Sequence, residues 1–270
     1  MRTLAHLSDL HFGRIDPALI EPLLLRLREI APQLVAVSGD LTQRARKRQF
    51  EEARAFLDRL PQPRIVVPGN HDVPLYRVWE RFLSPLGKYR RIVEADLEPS
   101  FVDAEIAVVG INTARSLTFK DGRINEEQMA AIKRRFDRLG ETVLKVVVTH
   151  HPFDLPDQSG DVDLVGRARE AMEVFSRCGV DLLLSGHFHV SEAGSTAARH
   201  EIAGYSALVV QAGTATSTRG RGEENSFNVL RVRDDEIGVE RMSWREDAKA
   251  FAPKLTERFV REGDCWIERP

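Results

Sequence analysis

The chain is expected to adopt an α/β fold. Through about residue 190, short β-branched runs alternate with stretches of helical periodicity, which implies a largely parallel sheet. From about residue 205 the pattern changes to successive strand-like segments, consistent with a second sheet or an antiparallel extension. At 270 residues the chain can bury a full core as one large domain.

The first strand, residues 4–8, delivers Asp9 and His11 in L-S-D-L-H-F-G. Pro17 stands where a helix can begin, and Ile20, Leu23, Leu24, Leu27 and Ile30 form its apolar stripe. Residues 34–37 form a second strand ending in Ser38-Gly39-Asp40. A helix follows over 43–60, with Phe50, Ala53, Phe56, Leu57 and Leu60 at helical spacing. The third strand, Ile65, Val66 and Val67, stops at Pro68-Gly69 and presents Asn70, His71 and Asp72, with Gly69 supplying a sharp turn. Residues 78–91 read as a helix interrupted by Pro85 and Gly87 that covers part of a cleft. Residues 106–111 form a strand leading to Asn112 and Arg115. Asn125 is an N-cap for a helix through Leu139, closed by Gly140. The strand over 143–148 ends in Thr149-His150-His151-Pro152, a helix over 162–178 stops at Gly179, and the strand over 182–184 leads into S-G-H-F-H with His187 and His189. The tail strands are 207–212, 226–232 and 237–244. No repeat or linker divides the chain, so 1–270 reads as a single domain with core motifs over 4–189 and C-terminal strands and tail over 205–270.

A G-N-H-D stretch alone is an ordinary turn. The same grammar recurs at four other strand ends, and together these supply Asp9, His11, Asp40, Asn70, His71, His150, His187 and His189. Carboxyl ends of strands in α/β sheets are where ligands bind. Carboxylate, imidazole and amide donors without thiolate suit Mn²⁺, Fe or Zn²⁺. So many donors exceed one tetrahedral ion and suit two divalent ions about 3.5–4 Å apart, an arrangement made for in-line displacement at phosphorus.

In their order, D-x-H, G-D-L, G-N-H-D, H-H-P and G-H-F-H resemble the calcineurin-like metallophosphoesterase family from Leu4 to His189. The resemblance implies a four-layer αββα sandwich with mixed sheets and two metals (Mn, Fe or Zn, or a mixed pair). It places one on Asp9, His11, Asp40 and His189 and the other on Asp40, Asn70, His150 and His187, with Asp40 bridging and a hydroxide between them as nucleophile. It makes His71 the general acid, with Asp72 orienting its ring, and leaves His151 behind the ligands. Within the family the chain is most similar to class III cyclic-nucleotide phosphodiesterases. The G-D-L-T-Q stretch leads into a basic helix, the fourth motif reads H-H-P, and the chain lacks the length of a nuclease capping domain. The expected substrate is a small phosphodiester such as a cyclic nucleotide. A metal-dependent exonuclease, a phosphomonoesterase and a silent binding scaffold are the rivals.

The remaining signals read more plainly. Arg219 and Arg221, downstream of the last motif, can clamp a substrate phosphate, and Asn112 and Arg115 are further candidates for substrate contact. The run Arg44-Ala45-Arg46-Lys47-Arg48 reads as a solvated helix face, and His6 and His200 as non-functional. Cys178 and Cys265 read as free thiols. A net charge of −2 gives no bias toward nucleic acid or an anionic membrane. No apolar run approaches the roughly 20 residues of a membrane span, and Met1 runs directly into a strand without a signal segment, so a cytoplasmic protein is expected. The tail aromatics Phe227, Trp244, Phe251, Phe259 and Trp266 read as core or interface packing, and an exposed aromatic tail would support a homodimer.

Overall fold

A computed structural model of the chain describes residues 1–117, 121–140, 142–155, 164–196, 202, 204–219, 222–233 and 235–269. Its strands are β1 (Arg2–Leu7), β2 (Leu34–Ser38), β3 (Arg64–Val67), β4 (Ser100–Val102), β5 (Ile106–Gly110), β6 (Leu144–Val148), β7 (Leu182–Ser185), β8 (Glu192–Ser195), β9 (Leu208–Gln211), β10 (Ser226–Arg233), β11 (Glu236–Arg245), β12 (Ala250–Glu262) and β13 (Cys265–Arg269). The helices are α1 (Ile20–Ile30), α2 (Lys47–Leu57), α3 (Val78–Leu83), α4 (Gly87–Ile92), α5 (Glu126–Phe136) and α6 (Ala168–Cys178).

The parallel strands divide between two mixed sheets, ordered β13-β12-β11-β10-β1-β2-β3 and β4-β5-β6-β7-β9-β8. Side chains alternate along each strand, so one strand feeds two cores. Leu4, Leu34, Ala36, Ile65 and Val67 face Val108, Val146, Val148, Leu182 and Leu184 in the core between the sheets. Ala5, Leu7, Val35 and Val37 turn outward onto Leu23, Leu24 and Leu27 of α1 and Phe50 and Phe56 of α2. Val147, Leu183 and Val209 turn outward onto Ile132 and Phe136 of α5 and Met172 and Phe175 of α6. Helix, sheet, sheet and helix make the four layers expected. Strands covered on both faces carry the near-continuous apolar runs seen in the sequence. His6 lies on the inter-sheet face, its Nε2 2.9 Å from Ser38 Oγ. Burial pushes its pKa down to about 3, so it is a neutral core histidine.

Several boundaries differ from expectation for local reasons. Residues 43–46 do not join α2, because Ala45 takes φ +49° and Gln49 Oε1 accepts the Arg44 and Arg46 amides to close the helix start. The helix expected over 162–178 begins at Ala168, after Arg167 at φ +71°; residues 162 and 163 lie outside the described residues. Asn125 and Gln128 form the expected capping box of α5. Residues 78–91 split at Pro85 into α3 and α4, and Tyr89 of α4 is buried with its hydroxyl on the Val66 carbonyl.

The tail largely forms the antiparallel extension, one of the two expected forms, with β12 and β13 added beyond the strands read from sequence. β10 pairs antiparallel with β1, and β11, β12 and β13 follow it outward, while β9 joins β7 in the other sheet. Phe227, Phe251, Phe259 and Trp266 are buried and Trp244 packs partly against them, so these aromatics close the chain's own cores. Among the described residues no helix is long and apolar enough to cross a membrane.

Candidate metal centre

β1, β2, β3, β6 and β7 all point their carboxyl ends to the edge where the two sheets face each other, and the loops there interlock. His150 Nδ1 donates to the Ser38 carbonyl at 2.8 Å, the His187 amide donates to Asp9 Oδ2 at 3.0 Å, and Thr214 Oγ1 donates to the Asp9 carbonyl at 2.8 Å. Asp9, His11, Asp40, His187 and His189 take φ values of +50° to +77°, a region that side chains other than glycine avoid. Each costs on the order of 1–3 kcal/mol. Clustering at one edge marks them as held there by their surroundings.

Glycines let the loops touch. A Cβ on Gly69 would stand 2.1 Å from Asp40 Oδ1, and one on Gly186 would stand 1.8 Å from Ser8 Oγ. Gly69 itself has φ −107°, so close approach to Asp40 rather than an unusual turn requires glycine there.

The cluster has two ends. At one, Asp9 Oδ1 lies 3.1 Å from His189 Nε2 and 3.4 Å from His11 Nε2, and these two nitrogens stand 3.2 Å apart. At the other, His150 Nε2 lies 3.0 Å from Asn70 Oδ1 and 3.2 Å from His187 Nδ1. Asp40 joins them, with Oδ2 3.4 Å from His150 Nε2 and 3.7 Å from His11 Nε2, while Oδ1 accepts the His71 amide at 2.8 Å. Four sets of three Asp or His ligand atoms, drawn from these residues with His71 and His151, each fall within 4.8 Å of one another.

Burial alone would raise the Asp9 and Asp40 carboxyls. The surrounding imidazoles outweigh it and hold both below the usual carboxylate range. Burial would likewise lower His150, but Asp40 holds it up at about 9. Burial and then the His150 charge press His187 down to about 4. Asp9 Oδ1 is buried without a well-directed hydrogen bond. Buried anions facing imidazole nitrogens that also face one another form a donor set short of protons, and divalent cations fit it.

His71 sits beside the cluster. Its Nδ1 donates to the Gln43 carbonyl at 3.0 Å, and Arg219 Nη1 approaches its Nε2 at 3.0 Å. Burial lowers its pKa, opposed by Asp40. The expected partner is not the one found. Asp72 turns away and accepts the Gly69, Leu41 and Thr42 amides and the Thr42 hydroxyl at 2.9–3.1 Å. Burial and then the Asp40 charge push its carboxyl up to about 7 against those donors. It fastens the loop after β2 to the loop after β3, and the Gln43 carbonyl orients the His71 ring.

The candidates for substrate contact separate. Arg219 lies at the cluster, as its approach to His71 shows; Arg221 and His200 lie outside the described residues. Asn112 and Arg115 are drawn elsewhere. Asn112 Oδ1 caps the Ala114 amide, and Arg115 donates to the Asn112 and Ala114 carbonyls and to Gln128 Oε1. They brace the loop after β5 against α5. Its neighbour Thr113 does reach the centre, with Oγ1 2.8 Å from Nδ1 of the buried His151. Sequence reasoning missed Gln43 and Arg44, although both follow Asp40 within four residues. Arg44 leaves the solvated face and places Nη1 3.4 Å from His71 Nδ1.

A model of the calcineurin-like phosphoesterase family matches residues 2–191. A probable cyclic nucleotide phosphodiesterase of Synechococcus sp. is 25% identical over 199 residues, covering 69% of this chain and 73% of that protein. A glycerophosphodiester phosphodiesterase of Enterobacter lignolyticus is 40% identical over 170 residues, covering 58% of this chain and 60% of the relative. Among solved structures, a purple acid phosphatase from yellow lupin superposes with a TM-score of 0.72 at 12% identity, over 94% of this chain and 53% of the plant chain. A dimetal phosphatase from Danio rerio superposes with a TM-score of 0.67 at 14% identity, over 94% and 98%. At such identities these two likenesses concern the fold alone.

Proposed function

Because the chain belongs to the calcineurin-like phosphoesterase family and is a metal-dependent phosphoester hydrolase, we propose that it is a dimetal phosphodiesterase acting on small phosphodiesters. The observation that carries this reading is Asp40 Oδ2 lying between His11 and His150, a carboxylate placed to serve both ends of the cluster. On this reading Asp9, His11, Asp40 and His189 hold one ion, and Asp40, Asn70, His150 and His187 hold the other. When bound, the ions supply Lewis-acid charge neutralisation at phosphorus and activation of water. His71 supplies the leaving oxygen's proton from Nε2, the ring edge that Gln43 leaves free. Arg219 moves from that nitrogen to a phosphoryl oxygen when substrate enters. The names of the two curated relatives, a probable cyclic nucleotide phosphodiesterase and a glycerophosphodiester phosphodiesterase, support diesters over monoesters, and cyclic nucleotides remain the first class to assay. The proposal treats residues 1–270 as one unit, since β10–β13 continue the sheet that contains β1.

The test is hydrolysis of bis-p-nitrophenyl phosphate beside p-nitrophenyl phosphate after chelation, with Mn²⁺, Fe²⁺ or Zn²⁺ restored separately. Metal-restored activity on the diester is expected to exceed that on the monoester; preference for the monoester would convert the reading to a phosphatase.

Metal binding should also depend on pH with a definite sign. In the metal-free chain Asp40 keeps His150 protonated up to about pH 9, above the ordinary 6.5. A metal ligand must be neutral imidazole, so binding near pH 7.5 expels that proton. Affinity should rise with pH up to about 9. Calorimetry in two buffers of different ionisation enthalpy should register proton release, and binding without it would remove His150 from the ligand set.

A further inference from the structure

We propose that the cavity beside His71 is a leaving-group pocket selective for alcohols that carry a second anion, either a phosphate monoester or a carboxylate. The inference rests on the phosphodiesterase reading above and names the substrate class for the same site.

The cavity, of about 240 Å³, borders His71 and is walled by Arg44, Arg81 and Arg219 over an apolar floor of Val73 and Leu75, with no acidic residue in its lining. Elsewhere arginines are balanced by acids: Arg48 pairs with Glu52, Arg54 with Asp58 and Arg59 with Glu21. Among the described residues neither Arg44 nor Arg219 forms a salt bridge. Arg44 instead donates to the Gln43 carbonyl at 3.2 Å and stands 6.0 Å from the centre of the Tyr76 ring. Arg81 is 3% exposed, lines the cavity and donates to the Pro74 carbonyl at 3.1 Å. The carboxylates that act on Arg219 are Asp40 and Asp9, whose charge the metal cluster uses. Arg44 and Arg219 border one small cavity with no acidic residue in its lining, and an anion there would offset the repulsion between the two charges.

Position decides which part of a substrate enters. The scissile phosphate belongs at the cluster, and Arg219 meets the Nε2 edge of His71 that faces the reaction. Arg44 meets the other edge, at Nδ1. The cavity thus adjoins the ring that protonates the leaving oxygen, and we assign the group beside Arg44 to the alcohol that carries that oxygen. The volume equals about eight waters at roughly 30 Å³ each, room for a short alcohol with a terminal charged group. Guanidinium binds either carboxylate or phosphate in bidentate fashion. A 3′,5′-cyclic nucleotide offers no such anion on its leaving oxygen.

The experiment compares two diesters on the metal-restored enzyme, methyl glyceryl phosphate and its analogue with a phosphate on the distal glycerol hydroxyl. Released methyl phosphate is measured for each, with bis-p-nitrophenyl phosphate and 3′,5′-cyclic AMP as parallel substrates. The charged diester should have the higher kcat/KM by at least about tenfold, the scale of one charge-assisted hydrogen bond. Arg44→Gln should shrink that ratio toward one, and Arg44→Lys should restore part of it. Equal kcat/KM for the two glyceryl diesters, preference for cyclic AMP over both, or a ratio untouched in Arg44→Gln would overturn the pocket assignment while bis-p-nitrophenyl phosphate turnover leaves the diesterase reading standing. No turnover of any diester with any metal would overturn both.

Discussion

Asp40→Ala should leave the purified chain unable to fill either end of its metal cluster and should abolish diester hydrolysis along with the metal. Loss of a partner behind a metal ligand typically costs about 10–100-fold in affinity or activity. Asp40 sits between both ends, with Oδ2 3.4 Å from His150 and 3.7 Å from His11, so its loss should exceed that range. Removing it also takes from His150 the carboxylate that does most to hold its proton, leaving Asp9 and the Ser38 carbonyl to oppose burial. Because Asp40 Oδ1 accepts the His71 amide, the alanine variant disturbs the loop as well. Asp40→Asn separates the two effects, since its amide oxygen can keep that hydrogen bond while the charge is gone. Metal content per chain by mass spectrometry, measured beside activity and thermal unfolding, decides the matter. Two full equivalents of metal in a folded Asp40→Asn variant would end the bridging assignment.

Much of the site was legible because its residues lie next to the strands that position them. β-branched runs have one direction, their carboxyl ends share one edge, and donors placed immediately after them converge without any long-range information. Asp9, His11, Asp40, Asn70, His150, His187 and His189 all come together on this logic. Side-chain direction beyond the strand end was not legible. Asp72 is adjacent to His71 in sequence, yet one residue of a tight turn points its carboxylate at the Gly69, Leu41 and Thr42 amides instead. Arg115 follows a strand as the residues of the cluster do, but nearby carbonyls and Gln128 capture its guanidinium first.

The end of the tail was hidden for a different reason. β12 carries Pro253 and the charged Lys254, Glu257 and Arg258, which hide its period. Its register shifts between Arg241 and Met242 of β11, so the alternation that marks a strand breaks midway. Only Phe251 and Phe259, at its two ends, reach the cores. Likewise, splitting the parallel strands between two sheets left no local trace, because each strand is apolar on both faces whichever sheet it joins. Family resemblance, rather than periodicity, supplied the sandwich.

His71→Ala should retain metal while losing hydrolysis in proportion to the need of the leaving group for a proton. The contact with Asp40 runs through the His71 backbone amide and survives the substitution. General acid catalysis is worth about 10²–10⁴-fold, and that loss is expected for an alkyl diester whose alkoxide cannot depart unprotonated. p-Nitrophenolate departs as an anion, so bis-p-nitrophenyl phosphate should lose far less. The geometry offers one competing role, because His71 lies with His11 and Asp40 in a group that could hold an ion. The two roles diverge in measurement. A ligand's loss lowers metal content and slows both substrates alike, whereas a proton donor's loss spares the metal and widens the gap between them. The Gln43 carbonyl sharpens the distinction: by accepting a hydrogen bond from Nδ1–H at 3.0 Å it leaves Nε2 to face the cleft, the one nitrogen from which a proton can be delivered. Equal slowing of the alkyl and nitrophenyl diesters, with metal missing, would move His71 from the acid to the ligand set.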